Sequence, residues 1–118
     1  MLLLLFLLLF AHCLADYPLQ GDFLAQAKDR RSAAGAVIWP WALGSHALIH
    51  GGFTFLVLAV FAPVSATVCL ALAAAETIAH ALIDFGKCEG WFSYHVDQVL
   101  HIACKVVWVL VVLICALS

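Results

Sequence analysis

Apolar residues run along this chain in four long stretches separated by short polar ones. A helix needs ~20 mostly apolar residues to cross a bilayer. The pattern predicts spans over about residues 2–19, 41–62, 64–85 and 95–117. Pro18 closes the first, Pro40 opens the second as a helix-start residue, Pro63 separates the second from the third, and Gly86 ends the third. Between the first two spans, Asp22 to Arg31 predict a short interfacial helix with Phe23, Leu24 and Ala27 turned to the lipid. The expected fold class is all-α, a polytopic membrane protein built as a four-helix up-down-up-down transmembrane bundle and forming one domain over residues 1–118.

Composition agrees with this pattern. The chain is 67% hydrophobic and 10% charged, whereas a soluble domain is about half apolar and a quarter charged. So small a domain has too much surface to hide that much hydrocarbon from water, and membrane lipid is its expected partner. The net charge of −2 and the lack of a basic stripe argue against nucleic acid. The five cysteines form no C-x-x-C pair and suit helix packing better than a disulfide framework. Residues 1–15 have the look of a secretory signal, but no positive residue precedes the apolar run, and a membrane span is the expected reading.

Lys28, Arg30 and Arg31 lie in the first connection and Lys87 in the third, so these two are expected on the cytoplasmic side with both termini outside. Trp39, Trp41, Trp91 and Tyr94 flank the same connections as an interfacial belt would. Gly44, Gly51 and Gly52 are expected to permit close helix approach, and Ser45, Thr54, Ser65 and Thr77 to satisfy backbone groups.

The remaining polar residues form a pattern of their own. His12 and Asp16, His46 and His50, Glu76, His80 and Asp84, and Asp97 and His101 are each spaced by four. That spacing puts them on one helix face, one turn apart. With alternating helix direction, the end of span one, the start of two, the end of three and the start of four meet one membrane face. All four stripes are therefore expected at one level just inside the cytoplasmic boundary. A charged side chain costs ~2.5–3.5 kcal/mol at the centre of a span, so such groups persist when turned inward and paired, hydrated or coordinating.

A divalent cation suits imidazoles and carboxylates together, and four-helix bundles hold two metals this way. The expected ligands are His12, Asp16, His46, His50, His80, Asp84, Asp97 and His101, holding one or two ions of zinc, iron or manganese. Asp16, Asp84 or Asp97, when free of metal, would serve as general base. Gln20, Lys28, Glu76, Lys87 and Gln98 are expected behind the ligands or against substrate. Lys28 and Lys87 read first as topology-setting surface lysines and second as attractors of a phosphate or carboxylate head group. His95, at the interface, is the weakest histidine candidate. A hydrogen-bonded His–Asp network without metal is the competing reading.

His12-x-x-x-Asp16-Tyr17-x-Leu19-Gln20, then Lys28, Leu43-x-x-His46, His80-x-x-x-Asp84-x-x-Lys87 and Asp97-Gln98-x-x-His101 together resemble domain-of-unknown-function family 3307, small bacterial and phage membrane proteins. The resemblance covers about residues 5–115. It departs at Tyr17, where the family commonly has Phe. It implies a polytopic protein of the bacterial inner membrane with a His/Asp signature and supplies no activity. A looser likeness of site links it to membrane-bound metal-dependent hydrolases. The leading functional expectation is a metal-dependent hydrolase acting on a lipid or lipid-linked substrate. The alternatives are a metal-ion or proton transporter, a structural or accessory subunit docking other membrane subunits or copies of itself, and, more weakly, haem ligation.

Overall fold

The computed structural model describes residues 1–117. Five helices and no strand occur among them: α1 (Leu2–Asp16), α2 (Gly21–Ala27), α3 (Gly35–Phe61), α4 (Ala66–Cys88) and α5 (Tyr94–Leu117). Helices α3, α4 and α5 are long and apolar enough to cross a membrane, while α1 and α2 pass the same test together as one span bent by 86°.

Helix ends depart from the sequence reading for identifiable reasons. Helix α1 stops at Asp16 rather than Leu19. Pro18 has no N–H for the Leu14 carbonyl, and the Leu19 N–H reaches back to it instead, at 3.2 Å. The wider turn breaks the helix, and Gly21, at φ 61°, leads the chain into α2. In α2, Phe23 is exposed as expected, but Ala27 is fully buried where lipid contact was expected.

Helix α3 starts before the expected Trp41, and Pro40 lies inside it. Its start is set by Ser32, whose hydroxyl accepts from the Gly35 N–H at 2.8 Å and donates to the Gln26 carbonyl at 2.7 Å. Near the helix start Pro40 removes a single bond, to the Ala36 carbonyl. Helix α4 begins at the Ser65 cap, whose Oγ accepts from the Val68 N–H at 3.3 Å. It runs through the expected stop at Gly86, because Gly86 is a landing place for the Trp91 and Phe92 rings, 2.9 Å from where a Cβ would sit. The turn out of α4 is made at Gly90, at φ 77°.

Helices α1 and α4 each pack against both α3 and α5, and α2 packs on α3. Helices α3 and α4 approach closely at Gly51, where a Cβ would strike Thr77 Oγ1 and come within 2.8 Å of the Ala73 carbonyl. Gly44 and Gly52, by contrast, face open space, so they are not close-contact glycines.

The interior is divided by level. Leu4, Leu8, Leu58, Cys69, Leu72, Val109 and Val112 make an apolar plug in the half remote from the charged connections. The other half holds buried polar side chains instead: His12, His46, His50, His80, Asp84, Asp97 and His101. Large apolar side chains cover the outside, with Leu2 at 87% exposure and Val37 at 86%. That reversal of the soluble pattern suits hydrocarbon as the surrounding solvent.

Candidate metal centre

Each helix delivers its polar stripe because i and i+4 lie above one another on one face. Helix α1 brings His12 and Asp16, α3 brings His46 and His50, α4 brings Glu76, His80 and Asp84, and α5 brings Asp97, His101 and Lys105. Every one of these but Asp16 is at most 3% exposed, and the Asp16 side chain is 10% exposed. His46 and His80 are wholly enclosed.

Asp16 Oδ1 stands 3.1 Å from His50 Nε2, 3.3 Å from His46 Nε2 and 3.9 Å from His80 Nε2. Asp84 faces the same histidines from the other side. Its Oδ2 is 3.5 Å from His46 Nε2 and 3.7 Å from His80 Nε2, and its Oδ1 is 3.5 Å from His101 Nε2. Asp97 Oδ1 lies 3.6 Å from His101 Nε2, and Asp16 Oδ2 lies 3.5 Å from His12 Nε2. The imidazoles are stacked, with ring centroids of His50 and His80 at 3.6 Å and of His80 and His101 at 4.1 Å.

These donors sort into three groups able to hold a cation: Asp16 with His46, His50 and His80; His12 with His80 and His101; and Asp84 with Asp97 and His101. Within each group the ligand atoms lie within 4.8 Å of one another. Two nitrogen or oxygen donors on one tetrahedral ion at ~2.0–2.1 Å stand ~3.3 Å apart, the spacing of Asp16 Oδ1 from His46 and His50. Both ring nitrogens of His12, His46, His80 and His101, together with His50 Nε2, Asp16 Oδ1 and Asp97 Oδ1, are buried without a hydrogen-bond partner. Orphaned buried polar atoms are costly and rare in folded proteins. Here they converge at nitrogen–oxygen separations of 3.1–3.9 Å, a spacing that could hold a cation.

The surrounding residues are engaged. Lys28 is 4% exposed, not the surface lysine expected, and its Nζ donates to Gln20 Oε1 and Asp84 Oδ2, both at 2.6 Å. Gln98 Nε2 donates to Asp16 Oδ2 and Asp97 Oδ2, both at 3.1 Å. Glu76 belongs to none of the three groups. It sits deeper, with Oε1 3.6 Å from His80 Nδ1, and is paired with Lys105 and with Trp108, whose Nε1 donates to Oε2 at 2.6 Å. His95 is exposed beside Tyr94 and stays outside the cluster.

The sequence reading missed Lys105 and Trp108. Lys105 was visible as the next step of four after Asp97 and His101, whereas Trp108 carries no such signal. A second omission lies at the rim, where Arg30 makes a two-pronged pair with Glu89, both bonds at 2.7 Å, tying the two charged connections together. The Arg30 guanidinium holds the Glu89 carboxyl below its usual range, and Glu89 raises Arg30 in turn. Beyond the end of α1, the Tyr17 hydroxyl meets that of Tyr94.

Residues 4–118 match the family described as protein of unknown function DUF3307, and the chain belongs to that family. No curated protein and no solved structure matches it.

Proposed function

We propose that this DUF3307 protein is a four-span membrane bundle whose His/Asp cluster binds two divalent cations and hydrolyses a lipid or lipid-linked substrate at the charged face. One observation carries the reading: buried imidazole nitrogens and carboxylate oxygens from four helices converge at ligand spacing with no hydrogen-bond partner of their own. The packing of α1 and α4 against both α3 and α5 supports the bundle, with the bent α1–α2 pair as the fourth span. The Arg30–Glu89 pair supports placing both charged connections on one side, which the positive-inside rule makes the cytoplasm, with both termini outside.

Asp16, His46, His50 and His80 would hold one ion, and Asp84, Asp97 and His101 the other, with His12 beside both. Zinc, iron or manganese suits that donor set. Bound divalent ions would lower the pKa of a coordinated water and polarise an ester oxygen. Among the carboxylates, Asp84 is committed to Lys28 and the histidines, and Asp16 to four imidazoles and Gln98. Asp97 has the fewest commitments and lines the open cavity, so of the three it would be the one to leave its ion and accept the proton. Gln98 holds Asp16 and Asp97 in register. The apolar plug of Leu4, Leu8, Leu58, Leu72, Val109 and Val112 leaves the opposite half without a polar path, which favours a blind catalytic pocket over transport.

The experiment is elemental analysis of detergent-purified protein, followed by incubation with a labelled bacterial lipid extract. Bound metal near two ions per chain, and product release abolished by chelation and by Asp97→Asn, are expected. Folded protein free of metal would overturn the metal site. Metal-loaded protein that releases nothing would overturn the hydrolase.

A further inference from the structure

A cavity of about 120 Å³ opens above the cluster on the charged side, lined by Asp16, Tyr17, Gln20, Lys28, Asp84, Lys87, Tyr94, Asp97 and Gln98. It is much smaller than the ~300–1,000 Å³ pockets that enclose a whole drug-sized ligand. Such a space admits one reacting group and leaves the rest of the molecule outside. We propose that this cavity is the subsite for a phosphate-ester group, clamped by Lys28 and Lys87 over the cations.

Three features favour that chemistry. An ammonium has three donors, and Lys28 uses two of them within the protein, on Gln20 and Asp84, leaving one for an occupant of the cavity it lines. Its side chain is only 5% exposed, so the charge is fixed and poorly screened. The Lys87 ammonium, on the same cavity, has no hydrogen bond or ion pair among the described residues, which leaves its full charge for an anion. The paired hydroxyls of Tyr17 and Tyr94, one donating to the other, leave one neutral donor at the rim.

The balance of charge then fixes the order of binding, and here the inference rests on the metal reading above. Without cations the lining holds one more carboxylate than ammonium and repels an anion. Two divalent ions reverse that sign. Phosphate should therefore bind only after metal, and metal should bind without phosphate.

The test uses full-length protein in a phosphate-free detergent, its metal content measured first. Metal-loaded protein, chelator-stripped protein and a metal-loaded Lys87→Met variant are each titrated calorimetrically with inorganic phosphate. They are then titrated, in the same detergent, with short-chain phosphatidic acid and with short-chain phosphatidylcholine as control. Saturable binding to loaded wild type, none to stripped protein, and a loss of about tenfold or more in Lys87→Met at unchanged metal content are expected, as for one charge-assisted hydrogen bond. Binding of free phosphate alone identifies a soluble ester as the source, and binding of phosphatidic acid but not phosphatidylcholine identifies a lipid headgroup. Loaded protein that binds neither probe, or Lys87→Met that binds as wild type does, overturns the subsite and leaves the metal site standing. Protein that takes up no metal overturns both.

Discussion

Removing the ammonium of Lys105 gives the sharpest energetic prediction. Lys105 and Glu76 are each 1% exposed and are paired to one another between α5 and α4. Lys105→Met strips the Glu76 carboxylate of its cation and leaves the Trp108 N–H, at 2.6 Å, and the His80 ring, at 3.6 Å, beside it. Breaking one side of a buried pair costs ~3–5 kcal/mol, whereas replacing both partners by uncharged groups of similar volume is near neutral. Glu76→Gln alone should cost a comparable amount by stranding the ammonium, and Glu76→Gln with Lys105→Met should recover most of both losses. The predicted coupling is therefore close to the sum of the two single losses, roughly 6 kcal/mol or more, and exceeds the usual pair energies because both groups are fully buried. Equilibrium unfolding in mixed detergent micelles of the wild type, both single variants and the double variant measures it. Additive losses, with the double variant as unstable as the sum of the singles, would refute the reasoning.

Other outcomes follow from the same geometry. Glu76→Gln should also weaken metal binding by about 10–100-fold, since its carboxylate lies 3.6 Å from His80 Nδ1 and orients that ring; competition with a chromogenic chelator reads this. His80→Ala should cost more metal than His12→Ala, because His80 belongs to two of the three donor groups and His12 to one; equal losses would contradict the grouping. Gly51→Ala should destabilise by ~1–3 kcal/mol through collision with Thr77 and the Ala73 carbonyl, while Gly52→Ala, in open space, should be neutral or slightly stabilising, since Ala is the better helix former; thermal unfolding in detergent separates them.

The stripes were legible because a period of 3.6 turns a spacing of four into a shared face, and because alternating helix direction fixes which ends meet. That reasoning needs no tertiary detail, and it brings His12, His46, His80 and His101 to one place, where the structure has them. What it could not reach were properties set by neighbours distant in sequence. Pro40 reads as a helix start, yet the start is made by Ser32 reaching to Gln26 and Gly35. Gly86 reads as a stop, yet two aromatic rings pack against it and Gly90 makes the turn. Lys28 reads as a surface charge, yet the 86° bend between α1 and α2 carries the chain back until its ammonium lies over Asp84. Glu76 looked like an outlying carboxylate because its partner, Lys105, sits on another helix 29 residues on.

X-ray absorption at the metal edge of protein purified without added metal tests the central claim most directly. The account predicts a first shell of nitrogen and oxygen at ~2.0–2.2 Å, a metal–metal vector of ~3.5–4 Å, and loss of both in the His80→Ala variant. A folded protein with no bound ion, or an ion whose shell survives that substitution unchanged, would contradict it.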